Sequence, residues 1–130
     1  MSRRKGVRIL SICDDDGIRF SRELVLMQEG YEVSSVPSYA CLSPDCMRSF
    51  HIAVLCHTVD AERAARLAEM LRWYNPSIGV LRVHSIRPPS KSFYDLDCEA
   101  LPSPEELISG IRSLCAKLAE PRHQQGRRHA

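Results

Sequence analysis

Sulfur, imidazole and carboxylate side chains follow three separate apolar runs of this sequence. Cys13 and Asp14 end the first run, Cys56 and His57 end the second, and His84 ends the third. Zinc accepts all three ligand types, and an imidazole can also lower the pKa of a neighbouring thiol and make it reactive. If the fold brings the three ends to one crevice, they suggest a thiol or metal sensor. The alternative is that the cysteines are small buried hydrophobic residues that only fill space.

The apolar runs have the length and composition of strands in a parallel sheet. The stretch FHIAVLCH at 50–57 is apolar without alternation, which is typical of a central strand buried on both faces. The residue where such a strand stops usually faces the ligand crevice of the sheet. The predicted strands cover 7–12, 31–36, 51–56, 78–83 and 97–101.

Helical patterns separate these strands. The predicted helices cover 18–29, 38–48, 60–74 and 103–118. Gly30 offers a left-handed stop to the first helix, Pro44 makes the second irregular, and Asp60 can cap the third. Ser103 and Glu106 form a capping box for the last helix. Alternating strands and helices predict the flavodoxin-like α/β fold, a doubly wound five-stranded parallel sheet in the order 2-1-3-4-5.

The composition indicates one soluble domain. The chain has 130 residues, and its six cysteines form no C-x-x-C pair. No apolar run approaches the roughly 20 residues of a membrane span, and the start lacks a signal peptide's cleavage site. We therefore expect a cytoplasmic protein.

Charge is unevenly distributed along the chain. Residues 7–118 hold 12 of the 18 basic residues and 15 of the 16 acidic ones, so the net charge of +2 arises at the ends. We expect a basic arm at 1–6, a folded domain at 7–119 and a basic disordered tail at 120–130. Such a tail is more typical of a solubilising end than of a nucleic-acid site.

Taken together and in order, these segments resemble the receiver domain of bacterial response regulators over roughly 7–118. ILSICDDDGIRF resembles the family's first strand, acidic pair and first helix, and LMQEGYEV resembles the end of that helix and the second strand. NPSIGVL and PSPEELISGIRSL resemble the fourth strand and the last helix.

The resemblance implies a set of site residues for phosphorelay signalling in a two-component system. In the family, a histidine kinase's phosphoryl group moves to an aspartate that ends the third strand. The acidic pair holds Mg²⁺, a threonine or serine ends the fourth strand, and a lysine ends the fifth. By this resemblance Asp14 and Asp15 are the acidic pair, and Asp15 is the direct ligand of a residual magnesium site.

Three positions depart from the family's pattern. The phosphoacceptor position falls on Cys56, the hydroxyl position on His84, with Ser85 as the alternative, and the lysine position on Ala100. A thiolate is a soft ligand and replaces neither the carboxylate nucleophile nor its magnesium contact. These departures imply a pseudo-receiver that is not an enzyme and needs no cofactor.

Such a protein would act in signal transduction by binding another protein, either a histidine kinase or another regulator, and a homodimer is an alternative. The thiol or metal sensor formed by Cys13, Cys56 and His84 remains a second reading. A third reading is a working receiver in which Asp14 or Asp15 is a displaced acceptor.

The segment before the last helix is short for the family. Eighteen residues separate His84 from Ser103, and they include the adjacent Pro88 and Pro89, which forbid a regular helix through them. We therefore expect the family's fourth helix to be absent or reduced to one turn.

Overall fold

The computed structural model describes residues 6–37, 42–84, 95–99 and 103–119. The chain begins with β1 (Arg8–Ile12), α1 (Asp16–Gln28), β2 (Glu32–Val36), α2 (Pro44–Arg48) and β3 (Ile52–Leu55). It continues with α3 (Ala61–Tyr74), β4 (Gly79–His84), β5 (Leu96–Glu99) and α4 (Pro104–Ala119).

The strands form one parallel sheet in the order β2-β1-β3-β4-β5, which confirms the predicted topology. Ile12 lies beside Leu55 across β1 and β3, and Leu55 lies beside Arg82 across β3 and β4. Because parallel strands end at the same edge of a sheet, the residues that follow β1 and β3 meet there.

The central strands are buried on both faces, as their sequence indicates. Ala53 and Leu55 of β3 belong to the cluster that packs against α2 and α3. Ile52 and Val54 belong to the cluster that packs against α1 and α4. All four side chains have no exposed surface. The alternation places a separate apolar core on each side of the sheet.

The predicted ends of three helices are confirmed. The side chain of Asp60 accepts a hydrogen bond from the Arg63 amide at 2.9 Å and caps α3. Ser103 and Glu106 exchange backbone-to-side-chain bonds of 2.9 and 3.1 Å at the start of α4, which is the capping box. Gly30 follows α1 with a φ of 92°, a left-handed conformation that glycine adopts without strain.

The start of α2 was predicted wrongly. Residues 42 and 43 precede the helix, which begins at Pro44, and residues 38–41 lie outside the described part of the chain. Ser43 caps α2 by accepting a bond from the Cys46 amide at 3.1 Å. Pro44 therefore occupies the first helical position, where its missing N–H is harmless and its fixed φ is favourable.

Helix α1 turns some of its apolar residues towards solvent. Leu24 and Met27 are 60% and 50% exposed. Arg22 and Leu26 are buried in their place. The helix therefore turns a polar side chain inward and an apolar stripe outward.

Several predictions concern residues that the structure does not describe. These are the basic arm up to residue 5, the tail at 120–130, and residues 85–94, where the family's fourth helix was expected to be missing or reduced. None of the helices that are described has the length and hydrophobicity needed to cross a membrane.

Candidate functional site at the carboxyl edge of the sheet

Two cysteine side chains meet where β1 and β3 end. The Sγ atom of Cys13 lies 2.8 Å from the Sγ atom of Cys56 and donates to it, and neither residue has exposed surface. The Cys56 amide donates to the Ile12 carbonyl at 3.1 Å, which continues the β1–β3 pairing by one residue. The strand order that the sequence predicts, with the observed register of β1 and β3, thus brings Cys13 and Cys56 together.

Thr58 is a site residue that the sequence reasoning missed. Its Oγ1 atom accepts a hydrogen bond from the Asp14 amide at 3.1 Å and lies 3.8 Å from the Cys13 Sγ atom. Thr58 also stabilises the ionised form of Cys56 through its hydroxyl and its backbone. Its position two residues beyond the predicted tip of β3 was the signal that could have identified it.

The pKa values of the two thiols are shifted in opposite directions. Burial, followed by the hydrogen bond to Cys56, raises the pKa of Cys13 to about 11. Burial acts in the same direction on Cys56, but hydrogen bonds from Cys13 and Thr58 outweigh it and leave the pKa of Cys56 below its usual value. Cys56 is therefore the thiol that ionises first, and Cys13 remains protonated and donates to it.

Asp14 and Asp15 lie at the same edge, but their roles differ. Both are exposed. The Oδ1 atom of Asp15 accepts from the Ile18 amide at 2.9 Å and caps α1, whereas Asp14 contributes its backbone amide to Thr58. One oxygen of Asp15 is thus already used for capping.

The fit to a receiver-type Mg²⁺ site is incomplete. A hard cation prefers oxygen ligands, and the third position of such a site is held here by the sulfur of Cys56. In the described ranges, no group of three or more histidine, cysteine, aspartate or glutamate side chains is arranged to hold a metal ion. The sulfur of Cys56 does not fit a hard cation, so we assign no chemical step to magnesium at this site.

The remaining predicted site residues are only partly placed. His84 ends β4, with its backbone paired with Glu99 of β5. Its side chain, like Ser85 and Ala100, lies outside what the structure describes. His57 is described: its Nδ1 atom lies 3.7 Å from the Cys56 Sγ atom. Burial and then the positive charges of Arg22 and Arg82 lower the pKa of His57.

Two buried arginines flank this edge, and neither was predicted from the sequence. Arg82 of β4 is 6% exposed and donates to the carbonyls of Cys56 and Val59, both at 2.8 Å. It thereby fixes the backbone that follows β3.

Arg22 of α1 is 5% exposed, and neither its Nη1 nor its Nη2 atom has a hydrogen-bond partner in the described part of the chain. Its position, four residues after Ile18 and four before Leu26, places it on the inward face of α1. This spacing was the available signal.

The outward face of α1 carries an apolar stripe. Phe20, Leu24 and Met27 are 61%, 60% and 50% exposed and follow one another at spacings of four and three. Residues at these spacings share one face of a helix, so the three side chains form a continuous surface. We call these three residues the α1 stripe.

The fold is similar to several solved structures. A putative pilus assembly-related protein from Burkholderia pseudomallei superposes with a TM-score of 0.76 at 14% identity, covering 92% of this chain and 97% of that one. A response regulator receiver domain protein (CheY-like) from Methanospirillum hungatei gives 0.74 at 22% identity, covering 86% and 95%. A receiver domain protein from Clostridium thermocellum gives 0.74 at 13% identity, covering 85% and 95%.

These similarities establish the fold and nothing more specific. No protein-family model matches the sequence, and no curated protein matches it either. The chain has the CheY-like α/β fold over nearly the full length of the receiver domains that it resembles.

Proposed function

We propose that this protein is a receiver-like domain that does not carry a phosphoryl group at the usual position and acts in signal transduction by binding another protein. The CheY-like fold supports the receiver-like role. The observation that carries the rest of the proposal is the buried pair of thiols at the end of β1 and β3, where the resemblance expects an aspartate and its magnesium ion.

Phosphoryl transfer to a carboxylate needs an accessible nucleophile and positive charge around the transferred group. Cys56 has no exposed surface, and its sulfur is hydrogen-bonded to Cys13. Arg82 of β4 is a buried cation close to Cys56, but its guanidinium already donates to two backbone carbonyls. These contacts favour a structural role for Cys56 over a role as phosphoacceptor.

The test of this first part is a phosphorylation assay. The protein is incubated with acetyl phosphate and Mg²⁺, and its intact mass is measured, with an active receiver domain as positive control. We expect no stoichiometric addition of a phosphoryl group to the wild type. Stoichiometric addition would refute the proposal, and mapping it to Asp14 or Asp15 would support the displaced-acceptor reading instead.

The α1 stripe supports the second part, protein binding. Exposed apolar side chains in one patch are typical of interaction surfaces, and a straight stripe on a helix is complementary to the apolar ridge of a second helix. We infer that the partner presents an amphipathic helix, as a histidine kinase or another regulator would have to do to pack along α1.

A matched pair of variants tests this surface. Leu24→Glu puts a charge in the α1 stripe, and Trp73→Glu puts one at an apolar residue of α3 that is even more exposed, at 80%. Both variants are assayed in two-hybrid and purified-protein binding experiments against histidine kinases and receivers of the source genome. We expect Leu24→Glu to abolish binding and Trp73→Glu to retain it. The reverse result would exclude the α1 stripe, and light scattering that shows a dimer broken by Leu24→Glu would identify a second copy as the partner.

A thiol sensor is the second candidate function, and the 2.8 Å separation of the two sulfur atoms favours it. Its reaction would convert the Cys13 and Cys56 thiols to a disulfide: two S–H bonds break, one S–S bond forms, and a hydroperoxide accepts the two electrons and two protons. The lowered pKa of Cys56 suits a thiolate that attacks the peroxide oxygen. Because Cys56 has no exposed surface, this attack requires the carboxyl edge of the sheet to open and admit the peroxide. The metal-binding version has no comparable support among the described residues.

Intact mass before and after treatment with hydrogen peroxide tests the sensor. A loss of two hydrogens that a reductant reverses, and that Cys13→Ser and Cys56→Ser each prevent, is expected if the pair is redox-active. Thiols that stay reduced under conditions that oxidise a known peroxide sensor would exclude this function while leaving the receiver-like proposal intact.

A further inference from the structure

The turn that joins β1 to α1 contacts both the sulfur pair and the helix. On one side, the Sγ atom of Cys13 donates to the Sγ atom of Cys56 at 2.8 Å. On the other side, the same Cys13 thiol donates to the Asp15 carbonyl oxygen at 3.6 Å. That oxygen also accepts the Arg19 amide at 2.9 Å in the first turn of α1. A chemical change at the sulfur atoms therefore acts on an atom that holds the start of the helix.

Arg19 connects this turn to the exposed surface of α1. Its Nη1 atom donates to the Cys13 carbonyl at 2.9 Å, and its Nη2 atom donates to Asp16. The guanidinium carbon lies 5.9 Å from the centroid of the Phe20 ring, a distance at which a cation is attracted to an aromatic face. The Arg19 side chain is 14% exposed, whereas Phe20 is 61% exposed. Arg19 thus joins the backbone of Cys13 to the first residue of the α1 stripe.

The two sides of Cys13 differ in how they are held. Its amide donates to the Val36 carbonyl at 3.0 Å, and the Cys56 amide donates to the Ile12 carbonyl at 3.1 Å, so the sheet fixes both amides. The carbonyl of Cys13 instead accepts a bond from the Arg19 side chain. A side chain adjusts more easily than a paired strand. A displacement at Cys13 is therefore expected on its carbonyl side, towards α1.

We propose that the redox state of the Cys13–Cys56 pair sets the position of Phe20 in the α1 stripe through Arg19. The dithiol holds Phe20 in the position described here, and the disulfide releases it. This inference rests on the thiol-sensor candidate and adds a regulatory role to it. The surface that α1 offers to a partner then differs between the two redox states.

The chemistry of oxidation explains why the turn must respond. Two S–H bonds break, one S–S bond forms, and a hydroperoxide accepts the two electrons and two protons. A disulfide has no thiol proton, so the Asp15 carbonyl loses the donor that Cys13 supplies. The two sulfur atoms must also come closer than their present 2.8 Å to bond covalently. Both changes act on the turn whose Cys13 carbonyl accepts from Arg19.

The test compares α1 in the reduced and oxidised protein. The chain is treated with hydrogen peroxide, the disulfide is verified as a loss of two hydrogens in the intact mass, and half of the sample is reduced again with dithiothreitol. NMR follows the Phe20 ring and the amide hydrogen exchange of residues 18–24, with residues 64–72 of α3 as the internal reference. We expect the α1 amides to exchange at least about threefold faster in the disulfide form and the Phe20 signals to shift, while α3 is unchanged.

Reversal by dithiothreitol is part of the expected result. Met27 is 50% exposed on the same stripe and can itself be oxidised by peroxide. Dithiothreitol reduces the disulfide, whereas methionine sulfoxide needs a dedicated reductase. Cys56→Ser forms no disulfide with Cys13, so it should show no change in α1 that dithiothreitol reverses.

Arg19→Gln tests the route of the coupling. It shortens the side chain and removes the charge above Phe20, so the disulfide should form to the same extent while the shift of the Phe20 signals falls to less than about half. Arg63→Gln, at an exposed residue of α3, is the control and should behave as the wild type.

The outcomes separate this inference from the sensor on which it rests. If no disulfide forms, the sensor and this inference are both overturned. If the disulfide forms and neither the α1 amides nor the Phe20 signals change, the sensor stands and only this inference is overturned. A full Phe20 shift in Arg19→Gln would overturn the role of Arg19.

Discussion

The sulfur atoms of Cys13 and Cys56 lie 2.8 Å apart because β1 and β3 are adjacent parallel strands in register, Ile12 beside Leu55. Each cysteine is the first residue after its strand, so both are held by backbone hydrogen bonds as well as by burial. The contact is therefore a property of the sheet itself, and changes at either residue act directly on the end of the fold where the ligand crevice of such sheets lies.

The raised pKa of Cys13 predicts a loss of stability at alkaline pH. The folded state favours the protonated thiol, since its pKa rises from 9.0 to about 11. The stabilisation is therefore complete below pH 9 and is lost as the pH rises through about 11. Urea unfolding under reducing conditions at pH 8, 9.5 and 10.5 should show this decline in the free energy of unfolding.

Cys13→Ser is the matched control for this experiment, because its hydroxyl still donates to Cys56 and does not titrate in this range. The decline between pH 9 and 11 should be shallower in the variant than in the wild type. Parallel pH profiles for the two proteins would show that Cys13 titrates normally in the folded state.

Asp15 is expected to act mainly as a helix cap. Asp15→Ala should lower the free energy of unfolding by about 1 kcal/mol, because the Ile18 amide loses its acceptor, whereas Asp15→Asn should have little effect since asparagine caps equally well. Urea unfolding of the two variants measures the difference. Mg²⁺ should shift the Tm of the wild type and of Asp15→Asn equally, and a shift that only the wild type shows would place a magnesium ion at Asp15.

The strands and the longer helices could be predicted from sequence because local and long-range signals agree there. For α3, the cap at Asp60 and the buried residues Ala64, Leu67 and Leu71 all follow from the spacing of the apolar side chains. The short helix α2 was predicted with the wrong start, since a proline inside a helix and a proline at its first position look alike until the cap at Ser43 is known.

The candidate site was only partly predictable. The meeting of Cys13 and Cys56 follows from strand ends and order, which the sequence shows. The inward position of Arg22 was missed because α1 has apolar residues on both faces, and composition alone favours Leu24 and Met27 for the core. The Arg82 contacts depend on the path of the chain after β3, which no local pattern specifies.

Asn75 is predicted to stabilise the contact between the end of α3 and the segment that runs from α2 to β3. Its Nδ2 atom, just after α3, donates to the carbonyls of Met47 and Phe50 at 3.1 and 2.6 Å. Asn75→Ala removes these donors and should cost about 1–3 kcal/mol of unfolding free energy, as measured by urea unfolding. Glu69→Ala, at an exposed residue of α3, provides the comparison and should cost less. Equal losses would show that the Asn75 bonds contribute no net stability.

Arg82 and Arg22 are both buried, but they should respond oppositely to the same substitution. Arg82 donates to two buried carbonyls, so Arg82→Met leaves the Cys56 and Val59 oxygens without their donor and should cost about 3 kcal/mol. The Nη atoms of Arg22 have no such acceptor in the described residues, and Arg22→Met should be neutral or stabilising. Urea unfolding of the two variants at pH 7 compares them directly. If only Arg82→Met loses stability, the contribution of a buried arginine depends on its acceptors and not on burial alone. If both variants lose stability to a similar degree, the distinction between a structural and an unpaired arginine is wrong.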